Sequence, residues 1–387
     1  MPAPQILLSA GEASGDMYAA RLAAALKERT GACLFGMGGD QMRRAGVDVI
    51  TDYSEVSVLG ITEIASHLPQ LFRAMRRLVD LARERRPELA IVTDFPGFHL
   101  RLARKLKPLG VRNVYYICPQ FWAWRPWRVR IVRRRFALAL CIFPFEEKFF
   151  GDAGVPVKFI GHPLVGTVAP SLSRADFFAK HKLSQNLPLV TILPGSRGSE
   201  LARHVPILRK ASIKIHEAMP SQFVVASAPG RAETLRNLWP EPLPLTIVEG
   251  ETYDALRHAD ASIVSSGTAT VEAALLDAPM VVVYRVTPLT AWLAKPLLRT
   301  RYFSMVNLIA GREAVPELIQ KDFTPENVAS QTLRLLRDPA ATAAMRADLA
   351  EARRRLGPPG AVERAAEAIA ALLAEPRPQR KLPGNAS

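Results

Sequence analysis

Five segments of the chain combine glycine with acidic, basic or hydroxyl side chains in a spacing that suits a charged or sugar ligand. They are residues 9–16 (SAGEASGD), 94–99 (DFPGFH), 193–200 (LPGSRGSE), 265–272 (SSGTATVE) and 304–313 (SMVNLIAGRE). The first four begin at the end of short apolar runs, which is typical of turns that leave buried strands. Open α/β sheets bind their ligands at the carboxyl ends of the strands, so we expect these turns to carry the chemistry.

Asp94 is the leading candidate for a general base. It follows the apolar run LAIVT and precedes aromatic residues, a setting that removes water from its carboxyl group. Desolvation raises the pKa of a carboxyl group and suits it to accept a proton. In the alternative interpretation Asp94 only caps the turn before Pro96. His99 is a second candidate base, and a structural role is the alternative for it.

Residues 9–16 match neither the G-x-G-x-x-G pattern nor a P-loop, which disfavours a dinucleotide or ATP. The glycines let a ligand approach the backbone, and the helix that follows offers free amide donors. Glu12 and Asp16 are therefore candidates to bind sugar hydroxyls. Capping of a helix by Asp16 is the alternative.

Residues 193–200 and 265–272 suit phosphate groups. In the first segment the glycines and Ser196 surround Arg197, whose guanidinium group forms paired hydrogen bonds with phosphate and stabilises a departing anion without a metal. The second segment offers backbone amides for another phosphate through Ser266, Gly267 and Thr268. Glu272 is a candidate for ribose hydroxyls, with compensation of the helix dipole as the alternative.

The fifth segment gives a weaker signal. Asn307 is a polar residue within an apolar run. Buried amides are normally hydrogen-bonded, and the partner of this one is either a ligand or the backbone.

The composition predicts a globular protein of two domains. The chain has 387 residues, of which 49% are hydrophobic, and its mean hydropathy is +0.06. The longest apolar runs are about half of what a membrane span needs, and the first residues do not resemble a secretory signal. Three scattered cysteines indicate reduced core thiols rather than a disulfide or zinc set.

The chain is strongly basic. Its 51 Lys and Arg residues against 36 Asp and Glu give a net charge of +15, and much of the excess lies in residues 73–86, 101–112 and 125–135. Such stretches attract nucleic acid, anionic lipid or acidic substrates, although a solvated basic surface is the alternative. Residues 122–135 mix Trp122 and Trp124 with Arg125 and Arg128, the composition of a membrane-interface segment.

Apolar runs alternate with helical patterns along the whole chain, which predicts two doubly wound domains with mainly parallel sheets. The predicted domains are residues 1–165 and 186–355, with a linker between them. A helix over residues 360–374 and a disordered tail over residues 375–387 follow. The predicted strands are residues 5–10, 88–93, 114–118, 138–143, 157–160, 189–193, 223–226, 245–248, 261–264 and 280–284.

Other site types find no support in the sequence. There is no H-E-x-x-H, C-x-x-C or D-x-D pattern for a metal, and no G-x-S-x-G pattern for a serine hydrolase. We therefore expect an enzyme with no metal and no cofactor.

Six motifs in order give the chain a close resemblance to the lipid-A-disaccharide synthase family. They are AGEASGD at residue 10, PQFWAWR at 119, FIGHP at 159, LPGSRGSE at 193, SGTATVE at 266 and NLIAGRE at 307. The resemblance runs from about Ile6 to Leu373. It implies a GT-B fold, in which two Rossmann-like domains face a central cleft.

The resemblance also implies an activity, a location and an assembly. The family joins UDP-2,3-diacylglucosamine to 2,3-diacylglucosamine 1-phosphate (lipid X), giving the β-1′,6-linked disaccharide of lipid A and UDP. It acts as a peripheral protein on the cytosolic face of the inner membrane. Its members resemble C-terminally swapped homodimers, which implies that Asn307 serves the nucleotide site of a partner chain.

The resemblance also implies roles for residues of this chain that stand at matching positions of the family's motifs. The family's catalytic aspartate falls on Asp94 and its glycine-loop glutamate on Glu12. The phosphate-binding pair falls on Ser196 and Arg197, and the nucleotide glutamate on Glu272. Ser14 joins the acceptor or membrane set, which also contains Trp122, Trp124, Arg125 and Arg128. Some members have a second Asp and an Asn where this chain has Gly97 and His99, which leaves the acceptor contacts there open.

The residues and the resemblance together predict a direct displacement. Asp94, assisted by Glu12, accepts the proton of the acceptor's 6-hydroxyl group, and the departing UDP is held by Arg197 and the two glycine turns. Two other functions stay open at this point. One is another GT-B enzyme that uses a UDP-sugar, such as a lipid-linked sugar transferase or a 2-epimerase. The other is a basic nucleic-acid-binding protein, which the absence of RRM, KH and helix-turn-helix patterns disfavours.

Overall fold

The structure of the protein, a computed structural model, describes residues 3–56, 64–239, 243–287 and 300–376, without the side chains of residues 64–68 and Trp124. The described chain divides into two compact units. The first unit consists of the residues up to Pro163 together with those from Pro358 onward. The second unit is Leu164–Gly357.

The first unit is built on a parallel sheet of seven described strands. They are β1 (Gln5–Ala10), β2 (Cys33–Gly38), β3 (Asp48–Asp52), β4 (Leu89–Thr93), β5 (Arg112–Tyr116), β6 (Leu138–Cys141) and β7 (Val157–Phe159), in the spatial order β3-β2-β1-β4-β5-β6-β7. The residues of β4 are all buried, as expected of a parallel strand covered by helices on both faces.

Eight described helices belong to the first unit. They are α1 (Ala13–Thr30), α2 (Asp40–Arg44), α3 (Ile64–Arg85), α4 (Pro96–Leu106), α5 (Phe121–Trp124), α6 (Val129–Arg135), α7 (Pro144–Asp152) and, from the end of the chain, a helix at Ala361–Ala374.

The second unit repeats this design with six described strands. They are β8 (Leu189–Leu193), β9 (Gln222–Ser227), β10 (Leu245–Glu249), β11 (Ala261–Ser265), β12 (Met280–Tyr284) and β13 (Glu317–Ile319), in the order β10-β9-β8-β11-β12-β13. All of the described pairs are parallel. Its helices are α8 (Arg174–Lys180), α9 (Gly198–Ala218), α10 (Ala232–Leu238), α11 (Thr252–Arg257), α12 (Thr268–Leu275), α13 (Met305–Ala310), α14 (Pro325–Arg337) and α15 (Pro339–Arg355).

The first six strands of each unit have the same spatial order, that of the Rossmann fold, and the first sheet adds β7 at its edge. In each sheet the first strand of the unit lies at the centre, and the chain then moves outward in one direction before it crosses to the other side. The predicted pair of parallel-sheet α/β domains is thus confirmed. The prediction did not include strands β2, β3 and β13.

The helix at Ala361–Ala374, α16, packs against α1 in the first unit. Arg364 Nε donates a hydrogen bond to the Ile160 carbonyl (2.8 Å), and Arg112 Nη1 donates to the Glu375 carbonyl beyond the end of α16 (3.2 Å). The chain therefore begins and ends its described course in the same unit. Most of the predicted disordered tail, residues 377–387, lies outside the described residues.

The stretch interpreted as a linker, residues 163–186, contains α8. Phe177 and Phe178 of α8 are fully buried. The backbone N–H groups of Ser171 and Leu172 each donate to Asp254 Oδ1 at 2.7 Å. From Leu164 onward this stretch is part of the second unit.

Candidate active site

Four of the five segments singled out in the sequence, two in each unit, lie where the strand order of the sheet reverses its direction. Residues 9–16 follow β1 and residues 94–99 follow β4, and these two strands are neighbours. In the second unit, residues 193–200 and 265–272 follow β8 and β11, which are also neighbours. Such a switch point is where open α/β sheets bind ligands, so each unit has one candidate site made of two turns.

The carboxyl group of Asp94 is partly buried, with its Oδ2 atom out of contact with solvent. Its Oδ1 accepts a hydrogen bond from the Gly11 backbone N–H at 2.8 Å, and its Oδ2 has no hydrogen-bond partner among the described residues. Burial raises the pKa of Asp94 to about 8, and the nearby negative charges of Glu12 and Asp16 raise it further, whereas the Gly11 N–H opposes the shift. A carboxyl group with this pKa can exchange a proton near neutral pH.

The backbone of the Asp94 turn, residues 94–95 between β4 and α4, lies in the left-handed region. The φ angles are +52° at Asp94 and +34° at Phe95. Residues other than glycine rarely adopt this conformation, and each instance costs about 1–3 kcal/mol, which the surrounding structure must offset. Strain of this kind is concentrated at functional sites, which agrees with the predicted importance of Asp94.

Two donors hold the carbonyl oxygen of Asp94. The Tyr115 hydroxyl donates to it at 2.7 Å, and His99 Nδ1 lies 3.0 Å away. Tyr115 was not among the predicted site residues. Its contact depends on the register that places it beside Val92 on the neighbouring strand, so no pattern local to Tyr115 could have identified it.

His99 is fully buried, with both ring nitrogens engaged. Nε2 lies 2.8 Å from the Ser9 hydroxyl, and burial lowers the pKa of the imidazole to about 4. The ring is therefore neutral at ordinary pH. With Nδ1 donating to Asp94, Nε2 accepts from Ser9. These contacts correspond to the structural alternative for His99 and not to a second base.

Gly15 and Gly11 leave the space that the side chains of Asp94 and Phe95 occupy. A Cβ atom on Gly15 would lie 1.5 Å from Asp94 Oδ2, and one on Gly11 would lie 2.6 Å from the side chain of Phe95. Neither position tolerates a side chain without displacement of the Asp94 turn.

The acidic residues of the first turn occupy different environments. Glu12 is the exposed N-cap residue of α1, and the exposed Ser14 follows it in the first helical turn. Asp16 is buried. Its carboxylate accepts backbone N–H groups from Gly39 (2.6 Å), Gln41 (3.0 Å) and Met42 (3.3 Å), so it caps α2 and has a structural role.

The Arg197 turn, residues 194–197 between β8 and α9, is exposed. The guanidinium group of Arg197 has a side-chain exposure of 78% and lies 3.7 Å from Glu200. Gly195 has a φ of +120°, which favours glycine there. The N–H groups of Ser196 and Arg197 point at Glu200 Oε2, at 3.1 and 3.3 Å. A carboxylate thus occupies the anion position that the sequence predicted for phosphate. Glu200 was not assigned this contact, although an acid three residues after the N-cap is typical of a capping box.

The second turn of this unit carries the other predicted nucleotide residues. Gly267 has a φ of +149° and is the N-cap of α12, which begins at Thr268. The Ser266 hydroxyl donates to the Phe303 carbonyl at 3.0 Å. Glu272 is half-buried, which raises its pKa, and the Tyr253 hydroxyl donates to its Oε1 at 3.3 Å.

Asn307 is fully buried, with all of its amide hydrogen bonds made inside the second unit. Nδ2 donates to the Val315 carbonyl and to Glu317, both at 2.8 Å, and Oδ1 accepts from the N–H groups of Ala314 (2.8 Å) and Val315 (2.9 Å). An amide has two donors and two acceptor lone pairs. Contrary to the predicted nucleotide contact, Asn307 has no free polar atom for a ligand.

The basic, tryptophan-containing segment, residues 122–135, has one half-buried and one exposed tryptophan among its described side chains. Trp122 is half-buried, and its indole N–H donates to the fully buried Glu146 at 3.0 Å. Trp127 was not among the predicted site residues, yet 58% of it is exposed and Arg128 lies over its ring at 5.5 Å. Arg125 and Arg128 are half-buried, and the side chain of Trp124 lies outside the described structure. None of the described helices is long and apolar enough to cross a membrane.

Comparison with known proteins extends this picture. The family model for lipid-A-disaccharide synthetase matches residues 6–372. A lipid-A-disaccharide synthase of Solibacter usitatus is 48% identical over 376 residues, which cover 96% of this chain and 98% of the relative.

Two solved structures resemble the fold at low sequence identity. A putative UDP-N-acetylglucosamine 2-epimerase of Listeria monocytogenes has a TM-score of 0.65 and 13% identity, covering 98% of this chain and 99% of that one. MurG of Acinetobacter baumannii has a TM-score of 0.56 and 15% identity, covering 95% and 99%. The two parallel-sheet units therefore have the fold of the GT-B glycosyltransferases and related epimerases.

Proposed function

The chain belongs to the lipid-A-disaccharide synthase family, and on that premise we propose the roles of its site residues. The protein is a disaccharide-forming glycosyltransferase of lipid A biosynthesis that uses a UDP-sugar and lipid X. Its likeness to the putative 2-epimerase of Listeria monocytogenes, at 13% identity, concerns the fold alone. The epimerase and nucleic-acid-binding alternatives are not favoured.

Asp94 is the proposed general base. The observation that carries this role is its buried carboxyl group at the switch point of the first sheet, with a pKa near 8. As the acceptor's 6-hydroxyl attacks the anomeric carbon of the donor, its proton passes to the Asp94 carboxylate. The bond from that carbon to the diphosphate oxygen breaks, and UDP leaves with the electron pair. A single displacement of this kind inverts the configuration at the anomeric carbon. Glu12, exposed at the start of α1, assists from the acceptor side, and Ser14 belongs to the same acceptor contacts.

The second unit is proposed to hold the departing UDP. The exposed guanidinium group of Arg197 supplies positive charge to a diphosphate. The N–H groups of Ser196 and Arg197 supply donors once the diphosphate displaces the Glu200 carboxylate that accepts them in this structure. Gly267 and Thr268 supply further amide donors at the start of α12, whereas the N–H and hydroxyl groups of Ser266 already donate to the Val283 and Phe303 carbonyls. Glu272, held by the Tyr253 hydroxyl, accepts from the ribose hydroxyls. Charge developing on the leaving group is met by fixed groups of the protein.

Replacement of Asp94 by asparagine tests the base. The amide oxygen of the new side chain can keep the hydrogen bond from Gly11, but the amide cannot take the proton. We expect Asp94→Asn to bind UDP like the wild type and to lose transfer by about two to four orders of magnitude. UDP-2,3-diacylglucosamine and lipid X are incubated without added metal, and the product is followed by mass spectrometry. Near-normal turnover would exclude Asp94 as the base.

We also propose that the protein works on the cytosolic face of the inner membrane as a peripheral protein. Support comes from the lipid substrates and from Trp127, whose exposed ring lies among Arg125, Arg128 and the rest of the basic segment. Trp127→Ala should weaken binding to anionic vesicles, with a further loss at high salt, whereas Phe303→Ala, at an exposed ring of the second unit, should not. Equal binding by both variants would contradict a role of this segment.

A homodimer is the last part of the proposal, and the family resemblance supports it. Light scattering on the purified full chain should give the mass of two chains. A monomer at all accessible concentrations would contradict it.

A further inference from the structure

The backbone carbonyl of Asp94 is held as firmly as its carboxyl group, although the proposed transfer makes no use of that carbonyl. A carbonyl oxygen accepts two hydrogen bonds, and both positions are taken, by the Tyr115 hydroxyl at 2.7 Å and by His99 Nδ1 at 3.0 Å. These donors come from β5 and α4, so the carbonyl group of Asp94, at the end of β4, is hydrogen-bonded to two neighbouring elements.

These two hydrogen bonds act on a stretch of backbone with an unusual conformation. Asp94 and Phe95 both have positive φ, and L-residues with side chains leave this region readily when nothing opposes them. A change of φ at Asp94 would rotate its Cβ relative to the strand that precedes it. The carboxyl group would then leave the Gly11 N–H and the space that the missing side chain of Gly15 provides.

The side chain of His99 is itself oriented from the centre of the sheet. Ser9, the penultimate residue of β1, lies 2.8 Å from Nε2 through its hydroxyl. The neutral ring has a single N–H, and the contact with Ser9 keeps that N–H on Nδ1, where it faces Asp94. Ser9, His99 and Asp94 thus form a chain of hydrogen bonds from β1 to the turn after β4.

We propose that Tyr115 and His99 are positioning residues for Asp94, because their hydrogen bonds to its carbonyl oxygen hold the left-handed backbone that directs the carboxyl group. The inference rests on the proposed role of Asp94 as the base. Neither residue touches a reacting atom. Their removal should therefore lower the rate of transfer and leave substrate binding in place.

The strand β5 offers a matched pair of variants. Tyr115 and Tyr116 are adjacent and both fully buried, but the Tyr116 hydroxyl has no hydrogen-bond partner within the described structure. Tyr115→Phe keeps the ring that packs on Phe136, at 5.1 Å between centroids, and removes only the donor to Asp94. We expect kcat to fall about tenfold in Tyr115→Phe, with the KM of both substrates and the Kd of UDP within about twofold of wild type. Tyr116→Phe should keep the wild-type kcat.

His99 allows a rescue experiment. His99→Asn retains an N–H donor close to the position of Nδ1, whereas His99→Leu fills the space without any donor. We expect His99→Asn to keep kcat within about threefold of wild type and His99→Leu to lower it at least as much as Tyr115→Phe does. Thermal unfolding and UDP binding, measured on each variant, show which proteins are folded.

The outcomes separate this inference from the proposed function. A normal kcat in Tyr115→Phe, or equal losses in Tyr115→Phe and Tyr116→Phe, overturns the positioning role while Asp94 stays the base. Equal kcat in His99→Asn and His99→Leu overturns the contribution of His99. Full activity of Asp94→Asn would instead remove the base itself.

Discussion

The Asp94 turn and the Arg197 turn occupy equivalent places in two sheets of the same strand order, yet they are built in opposite ways. The Asp94 turn is half-buried, and its backbone is strained. Its carboxyl group accepts the Gly11 N–H, and its Oδ2 has no hydrogen-bond partner in the described part of the chain. The Arg197 turn is open to solvent, and its amide donors are occupied by the nearby Glu200.

The difference between the two turns suits the two tasks that we propose for them. A general base near neutral pH needs a raised pKa, and burial raises the pKa of a carboxyl group because it removes water from the charged form. A diphosphate is a large, strongly hydrated anion, and its site needs donors and cations that it can reach. On the proposed roles, the same topology would serve proton transfer at the more enclosed turn and anion binding at the open turn.

The largest effect is expected when a side chain is added beside the carboxyl group of Asp94. Gly15→Ala places a Cβ 1.5 Å from Asp94 Oδ2, so the carboxyl group must move. A displacement of about 1 Å at a reacting group costs about a hundredfold in rate, and we expect kcat to fall by at least that factor. Gly151→Ala is the control, because a Cβ there meets only Val157, at 3.8 Å. Full activity of Gly15→Ala would show that the turn is not closed during catalysis.

The next effect concerns pH. Asp94 accepts a proton only as a carboxylate, and its pKa is raised from 3.8 to about 8. The active form is therefore present above pH 8 and declines as the pH falls below it. We expect kcat/KM, which reports the free enzyme, to drop about tenfold per pH unit below pH 8 and to level off above it. Initial rates between about pH 6 and 9.5 measure this, and the residual activity of Asp94→Asn should lack the slope. A flat profile from about pH 6 upward would contradict the raised pKa.

The smallest effect is expected in the open turn. Glu200→Gln keeps an acceptor for the N–H groups of Ser196 and Arg197 but removes a negative charge from the proposed diphosphate position. We expect the Kd of UDP to decrease about two- to fivefold, the range of a partly exposed charge interaction, and less at high salt. Calorimetric titration with UDP measures the change, with Glu200→Ala as the variant that loses acceptor and charge together. Weaker binding by Glu200→Gln would mean that the carboxylate itself contacts the nucleotide.

Local patterns predicted much of this architecture. Apolar runs followed by glycine located β1, β4, β8 and β11 and the four turns after them, because a buried parallel strand and its turn are neighbours in sequence. Strand β2 was not predicted, since two glycines interrupt CLFGMG, and β13 has only three residues. The predicted mechanism stays a prediction until its variants are measured.

The partners of the site residues could not be read in the same way. The contact of Tyr115 with Asp94 spans 21 residues and follows from the register of β4 and β5. The role of Asp16 depends on the start of α2, 23 residues away. Likewise, nothing local to Asn307 indicated that the backbone near residue 315 would satisfy its amide. Sequence identified the chemical groups, and the three-dimensional pairing decided which of them are free to act.

The position of α16 on α1 has a consequence for synthesis on the ribosome. The first unit contains the earliest strands to leave the exit tunnel, but its last helix, Ala361–Ala374, is translated only after the whole of Leu164–Gly357. The surface of α1 that packs against α16 therefore stays uncovered in the nascent chain, although the second unit can already be complete. A chain that stalls or is cut before residue 361 would therefore leave the first unit unfinished and the second unit intact.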